Sequence, residues 1–182
     1  MTEAEIIDSL KSGDHTSMRP LMEMHQNYVY TILFSMLKSS QDAEEASQDT
    51  FVKVYNKVGT YDNRSKFTTW LYSVAYRTGL DYLKKRKPTS ALDEIDLNKK
   101  YVDRSNPESK LERSERSAII GDTVDKLQPE DAAIVRMYYF KELNLKEISD
   151  ISGLTISNVK IKLFRARKQL RKLMINEHIT ES

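Results

Sequence analysis

The chain has 182 residues, of which 31% are charged and 39% hydrophobic, and its 29 lysines and arginines nearly balance 27 acidic residues, for a formal net charge of +2. This length suits one domain or two small ones and does not imply a single large catalytic core, while the absence of cysteine excludes disulfides and thiolate-bound metals. Near-neutrality also argues against a nucleic-acid-binding protein, unless the charges are segregated onto separate surfaces.

The first residues, Met1–Glu5, are acidic and lack the apolar segment of a signal peptide. No stretch approaches the roughly 18 apolar residues that a membrane-spanning helix requires. We therefore expect a soluble, cytoplasmic protein that does not insert into membranes.

An all-α fold is predicted, because the chain has only 5 glycines and 4 prolines and no alternating strand pattern of useful length. Residues 88–108 contain few large apolar side chains and are bracketed by Pro88 and Pro107, so they are predicted to be a flexible linker. A short helix at residues 91–97 is the alternative. The linker separates two small helical domains, residues 1–87 and residues 109–182.

Two helices are predicted before residue 40. Thr2 and Glu5 have the spacing of a capping box, and Gly13 ends the short helix that they begin. Pro20 fits the first turn of a longer helix, which runs to about Lys38.

A third helix is predicted from Asp42 to about Val58, and Gly59 stops it. Six side chains at helical spacing form its buried stripe: Ala43, Ala46, Thr50, Phe51, Val54 and Val58.

The start of this helix is acidic, with four carboxylates and no base between Ser39 and Thr50. Asp42, Glu45 and Asp49 share one face. Neither an EF-hand nor a two-metal site fits, because the required glycine and Glu-x-x-His pairs are missing. Two interpretations stay open: an acidic helix start stabilised by the macrodipole, or a docking face for a basic protein.

Aromatic and basic residues interleave from residue 61 to residue 87, over a loop and a fourth helix predicted at about Thr68–Lys87. Such a composition suits single-stranded nucleic acid, since rings stack on bases and cations follow phosphates. The helix should bury Leu71, Val74, Ala75, Thr78 and Tyr82. The candidate contact residues are Tyr61, Arg64, Lys66, Trp70, Arg77, Asp81 and Lys84. For Trp70, simple core packing is an equal alternative.

The second domain is predicted to have helices at residues 111–127 and 129–140, followed by a helix-turn-helix. Ile148 and Ile151 lie on its short first helix, and Gly153 sits at the turn. The longer second helix should bury a stripe of Ile156, Val159, Leu163, Ala166, Leu170 and Leu173.

This last helix has seven basic residues and no acidic one between Leu154 and Asn176, which indicates an anionic partner. A recognition helix reads bases with its first turns and holds phosphates further along. The predicted readers are Ser157, Asn158, Lys160, Ile161, Lys162 and Arg165, with Arg167, Lys168 and Arg171 nearer the backbone. A basic amphipathic helix on RNA, membrane or protein is the alternative.

Catalysis finds little support. The three histidines, His15, His25 and His178, have no partners at metal-ligand spacing, and neither a glycine-rich phosphate loop nor a nucleophile elbow occurs. The sequence predicts no enzyme activity, no metal and no cofactor.

Three segments in order, 42–55, 67–87 and 145–170, resemble the extracytoplasmic-function sigma factors, small two-domain sigma factors of bacterial RNA polymerase. The resemblance covers nearly the whole chain. It implies a transcription initiation factor whose partners are core RNA polymerase, promoter DNA as upstream duplex and as melted single strand, and an anti-sigma factor.

The resemblance also implies a role for each segment. The acidic helix matches the surface that docks on the clamp helices of the polymerase, with Asp42, Glu45, Gln48, Asp49 and Phe51 as contacts. The loop at 61–66 and the helix from Trp70 match the part that reads and melts the minus-ten element. The helix from Thr155 matches the minus-thirty-five reader, and the linker is expected near the polymerase active centre and RNA exit path.

Two residues depart from the family pattern. Arg77 stands where many members have Asn, which affects the expected minus-ten preference. Ile161 stands where Ser is common and could contact a thymine methyl group. The competing hypotheses are a stand-alone helix-turn-helix regulator of duplex operators and an adaptor that only sequesters proteins.

Overall fold

The computed structural model describes residues 1–86 and 121–180, with side chains as far as Ile175. The predicted linker and the predicted helical residues 111–120 lie outside the described residues. We call residues 1–86 the first lobe and residues 121–180 the second lobe. All regular structure in these two lobes is helical, as predicted. None of the described helices is long and apolar enough to cross a membrane.

The first lobe contains four α-helices: α1 (Glu3–Lys11), α2 (Met18–Leu37), α3 (Ser40–Lys57) and α4 (Phe67–Lys85). Short 3-10 helices, His15–Ser17 and Val58–Thr60, precede α2 and follow α3. The predicted capping box at the start of α1 is present, since Thr2 and Glu5 each accept the other's backbone N–H.

Helix α3 differs slightly from its prediction at both ends. It begins two residues before Asp42, because the Ser39 hydroxyl accepts the Asp42 N–H and caps the helix. It ends at Lys57, where the chain tightens into a 3-10 turn that contains Gly59. Gly59 therefore lies inside a short helical turn, just after the end of α3.

The second lobe contains α5 (Pro129–Tyr139), α6 (Leu145–Ser152) and α7 (Ile156–Thr180), preceded by a helical segment at residues 121–125. Pro129 occupies the first turn of α5, as predicted. Helix α6 starts with an Asn144–Glu147 capping box and ends at Gly153, whose left-handed φ of 75° turns the chain toward α7. The predicted helix-turn-helix is therefore confirmed.

The predicted buried stripes largely form the core. On α3 and α4 every stripe residue is buried except Tyr82, which is half-buried. On α7 the stripe is buried from Val159 to Ala166, and Leu170 and Leu173 are half-buried. Ile156 was expected inside but is exposed, because it is the first residue of α7 and burial begins one turn later.

The two lobes are in contact. Helix α2 packs against α5 and α4 packs against α6, so that the buried apolar residues of both lobes form one continuous cluster. Polar contacts cross the same boundary: Lys66 Nζ lies 2.8 Å from Glu147 Oε1, and Lys38 Nζ lies 3.4 Å from Asp125 Oδ1. No residue pattern in the sequence predicts this contact between lobes.

Candidate polymerase and promoter surfaces

The acidic face of α3 is turned toward the end of α4. The Tyr82 hydroxyl donates to Asp49 Oδ2 at 2.7 Å, and Arg86 forms an ion pair with Asp42. Burial and the hydrogen bond to Asp49 raise the pKa of Tyr82. The carboxylates therefore help to join α3 to α4, which neither interpretation of the sequence included.

The predicted polymerase contacts on α3 differ in accessibility. Glu45, Gln48 and Asp49 are exposed and Asp42 is half-buried. Phe51 is only 4% exposed, so in this structure it packs in the core and offers no surface to a partner. Its place on the apolar stripe of α3 accounts for this burial.

Two exposed apolar side chains on α3, Val52 and Tyr55, were not among the predicted site residues. They follow Gln48 at spacings of four and seven residues, so the three side chains share one face. The sequence signal that could have identified them is their position outside the buried stripe.

The loop before α4 is held by an aromatic cluster of Tyr61, Phe67 and Trp70, with ring centroids 5.3 to 5.6 Å apart. Tyr61 is 8% exposed, and its hydroxyl donates to the Ser65 carbonyl at 2.6 Å. In this structure Tyr61 therefore supports the loop from within, in contrast to its predicted contact role. Trp70 is half-buried, so one part of its ring packs while another part is accessible.

The remaining predicted contacts of this region are exposed. Arg77, Asp81 and Lys84 lie on the outer face of α4, and Asp81 pairs with Lys53 at 3.4 Å. On the loop, Arg64 pairs with the neighbouring Asp62, and Lys66 pairs with Glu147 of the second lobe.

The outer face of α7 carries most of the predicted base and phosphate contacts. Ser157, Asn158, Lys160, Ile161, Arg165, Arg167, Lys168 and Arg171 are all exposed. Phe164, which the sequence analysis did not single out, is 65% exposed. It shares its face with Ile161 and Lys168, and its signal in the sequence is a large apolar side chain outside the buried stripe.

Lys162 is placed differently from the other predicted readers. Its Nζ lies 2.9 Å from Asp131 and 3.2 Å from Glu130, both in the first turn of α5, and its side chain is 28% exposed. Burial lowers the pKa of Lys162, but the two carboxylates outweigh it and raise the pKa overall. In this structure Lys162 ties α7 to α5, in contrast to the DNA contact predicted for it from its basic helix face.

Two family models match the chain in sequence order. Sigma-70 region 2 matches residues 21–89, and Sigma-70 region 4 matches residues 117–170.

Full-length relatives agree with the family models. Sigma factor SigM of Bacillus subtilis is 31% identical over 153 residues, covering 84% of this chain and 92% of SigM. Sigma factor SigW of the same organism is 28% identical and covers 91% of this chain and 93% of SigW. A sigma-E factor of Haemophilus influenzae is 25% identical, covering 93% and 94%.

Solved structures share the fold. CnrH, solved in complex with the cytosolic domain of CnrY, has a TM-score of 0.64 at 19% identity and covers 94% of this chain and 96% of CnrH. The sigma factor RpoE of Bartonella quintana, solved with the anti-sigma factor NepR, has a TM-score of 0.61 at 15% identity, covering 86% and 95%. The family models and the relatives show that the chain belongs to the extracytoplasmic-function (ECF) group of RNA polymerase sigma factors.

Proposed function

We propose that this sigma factor binds core RNA polymerase in the cytoplasm, recognises and melts promoter DNA, and has no enzyme activity of its own. The observation that carries the proposal is the outer face of α7, which follows a helix-turn-helix and exposes basic side chains without an acidic one among the described residues 156–175.

For the upstream promoter element, we infer that α7 lies in the major groove of the duplex. Ser157, Asn158 and Lys160 stand in its first turns, where a recognition helix meets base edges. Arg165 and Lys168 lie further along the same helix and suit phosphate or guanine contacts. Ile161 and Phe164 add apolar area that suits a thymine methyl group.

For the minus-ten element, we infer that the loop at residues 61–66 and the outer face of α4 hold the melted strand. Arg77 and Lys84 suit its phosphates, and the accessible part of Trp70 suits stacking on an unpaired base. Binding energy for the extruded strand offsets an unstacking cost of a few kcal/mol, so melting needs no ATP.

For polymerase docking, we infer that the exposed side chains of α3 form the surface. Glu45, Gln48 and Asp49 supply the charge and hydrogen bonds that favour a basic partner. Val52 and Tyr55 supply apolar area beside them, as interface cores require.

We also infer regulation by an anti-sigma factor. The observation that supports this is a structure that shares the fold, the sigma factor RpoE in complex with the anti-sigma factor NepR.

The test is reconstitution with core RNA polymerase, followed by mapping of transcript ends. We expect promoter-specific transcripts that depend on the added chain, and Arg165→Ala should weaken those promoters that need the upstream element. Arg19→Ala, which changes an exposed cation in the first lobe, is the control. A chain that never binds core polymerase, but binds palindromic duplex tightly, would instead support a stand-alone helix-turn-helix regulator.

A further inference from the structure

Helix α1 is packed into the first lobe, although the match to the Sigma-70 region 2 model begins only at residue 21. Three of its side chains, Ile6, Ile7 and Leu10, are each at most 6% exposed. The helix packs against α2 and against both 3-10 helices of the lobe. None of the residues proposed to contact polymerase or DNA lies in α1, so its contacts with the rest of the lobe are the guide to its role.

Tyr61 connects both ends of the loop that precedes α4. Its backbone N–H donates to the Val58 carbonyl at 3.1 Å, and its hydroxyl donates to the Ser65 carbonyl at 2.6 Å. Its ring centroid lies 5.3 Å from that of Phe67 and 5.6 Å from that of Trp70. A shift of this one ring would therefore move the loop backbone and Trp70 together.

Lys11, in the last turn of α1, holds the Tyr61 ring. Its Nζ lies 4.9 Å from the ring centroid, within the range of a cation–π contact. Lys11 is half-buried and Tyr61 is 8% exposed, so the contact is partly shielded from water. Cation–π contacts are stronger when they are desolvated. Lys11 is therefore a direct link between α1 and the loop.

Glu3, at the other end of α1, forms a second link. Its Oε1 lies 2.9 Å from Nε2 of His25, which is 7% exposed. The His25 ring lies 6.1 Å from the ring of Phe67, at the start of α4. Burial and the negative charges of Glu3 and Asp62 raise the pKa of Tyr61, so Glu3 lies near that ring as well. Both ends of α1 are therefore connected to the aromatic cluster.

The charge of α1 makes it a poor surface for DNA. The helix carries three acidic residues, Glu3, Glu5 and Asp8, and one basic residue, Lys11. Glu5 and Asp8 are exposed, and carboxylates repel the phosphates of DNA. A contribution of α1 to promoter binding must therefore pass through the loop that it supports.

Building on the proposed function, we propose that α1 positions the loop for minus-ten recognition, and that Lys11 is a positioning residue that acts through Tyr61. With Tyr61 held, the loop presents Arg64 and the accessible part of Trp70 to the melted strand in one arrangement. Without the contact from Lys11, the loop adopts several arrangements, and the strand binds only the fraction of molecules that is competent.

Lys11→Gln tests this role, because it removes the cation over the Tyr61 ring and removes no fully buried side chain. The matched control is Lys57→Gln. Lys57 is exposed and stands in the last turn of α3, so the control loses the same charge and the same interaction with a helix dipole. It leaves the contact between Lys11 and Tyr61 in place. Lys11→Arg keeps a cation that suits the ring, and it should behave as the wild type does.

The first measurement is the fluorescence of Trp70, which is the single tryptophan of the chain and lies beside Tyr61. A loosened loop exposes the Trp70 ring to water. We therefore expect Lys11→Gln to shift the emission to longer wavelength and to increase quenching by acrylamide, with unchanged helical content by circular dichroism. Lys57→Gln and Lys11→Arg should keep the wild-type values. This measurement needs neither polymerase nor DNA.

The second measurement is binding of holoenzyme to the single non-template strand of a minus-ten region mapped by reconstitution. We expect about threefold weaker binding for Lys11→Gln, as for the loss of a partly exposed cation–π contact. The control and the arginine variant should bind as the wild type does. The slope of log affinity against log salt should be the same in all four proteins, because Lys11 contacts the ring and not a phosphate.

Equal Trp70 quenching in Lys11→Gln and Lys57→Gln would overturn the proposal, since the loop would then not depend on Lys11. Stronger quenching without weaker strand binding would also overturn it. A salt slope reduced by about 1 in Lys11→Gln alone would show that Lys11 binds phosphate directly, which contradicts a positioning role. Failure of the proposed function is a separate result: the wild-type chain would direct no specific transcripts from core polymerase, whatever the Trp70 fluorescence shows.

Discussion

At the scale of single residues, Asp49 combines an internal and an external role. Its carboxylate accepts the Tyr82 hydroxyl, yet the residue stays exposed on the proposed docking face. Asp49→Lys reverses the charge offered to a basic partner, so we expect core-polymerase affinity to fall by about tenfold or more. Fluorescence titration of labelled chain with core polymerase measures the change.

Tyr82→Phe is the matched control for Asp49. It removes the same internal hydrogen bond but keeps the Asp49 charge. Core affinity within twofold of wild type is expected. An equal loss in both variants would show that Asp49 acts through the contact between α3 and α4 and would contradict a docking role.

Lys38 is a half-buried cation where the lobes meet. It ends α2 in a left-handed conformation, is 19% exposed, and pairs with Asp125, which also pairs with Arg136 at 3.0 Å. Burial lowers the pKa of Lys38 to about 8, despite the attraction of Asp125. Between that value and the unfolded pKa near 10.4, the unfolded chain holds more protons, so this residue makes stability rise with pH.

The prediction concerns Lys38→Asn, which removes the amine and keeps a side chain that tolerates the left-handed conformation. From pH 7.5 to 9.5, we expect the unfolding free energy of the wild type to gain about 2 kcal/mol relative to the variant. Urea denaturation at both pH values measures the difference. Lys57→Asn, which changes an exposed lysine on α3, should show no such gain; parallel pH profiles for wild type and Lys38→Asn would contradict the prediction.

At the scale of elements, the turn between α6 and α7 depends on one backbone conformation. Gly153 has a φ of 75°, and its amide donates to the Ser149 carbonyl at 2.9 Å. A Cβ there would meet no neighbour within 4 Å, so the cost of Gly153→Ala is purely conformational. We expect a loss of about 1 kcal/mol in unfolding free energy, measured by urea denaturation.

Gly59→Ala is the control for that substitution. Its surroundings are equally open, but its φ is not in the left-handed region. Alanine should there be neutral or stabilising, because it restricts the unfolded chain. Equal losses at both glycines would show that the conformation of Gly153 is not the cause.

Two lysines on α7 are expected to have different roles, one in DNA contact and the other in holding α7 against α5. Lys160 is exposed, whereas Lys162 is held by Glu130 and Asp131. We expect Lys160→Gln to reduce the slope of log affinity against log salt by about 1 for holoenzyme on promoter duplex. Lys162→Gln should leave the slope unchanged and lower the midpoint of thermal unfolding. A reduced slope for Lys162→Gln would mean that this lysine leaves its carboxylates to bind phosphate.

The spacing of residue types along one helix predicts where that helix begins and ends and which of its faces is buried. The capping box at Thr2, the proline at the start of α5 and the glycine after α6 follow from such rules, as do the buried stripes. The placement of Lys162 depends on which helix lies opposite, and helical periodicity carries no such information. For the same reason, the packing of α4 against α6 is not predictable from sequence.

At the scale of the whole molecule, the net charge of +2 is a sum over separate surfaces. Exposed carboxylates lie on α3 and exposed cations lie on α7 and at the end of α4. The sequence is enough to predict this segregation, since each cluster is contiguous along one helix. It is not enough to predict that the two lobes share a core, which joins residues far apart in the chain.

The shared core predicts that the two lobes unfold together. Trp70, the single tryptophan of the chain, lies in the first lobe and reports on that lobe by fluorescence, whereas circular dichroism reports on helices of both lobes. If the two lobes unfold as one unit, a substitution in the second lobe destabilises both. Gly153→Ala must then lower the thermal unfolding midpoint measured by Trp70 fluorescence as much as the midpoint measured by circular dichroism. Thermal unfolding followed by both signals measures this, with Glu147→Gln and Lys141→Gln together as the variant that should weaken the coupling. An unchanged unfolding midpoint for Trp70 fluorescence beside a biphasic dichroism curve would show that each lobe unfolds by itself. The contact between the lobes would then contribute little to the stability of the free chain.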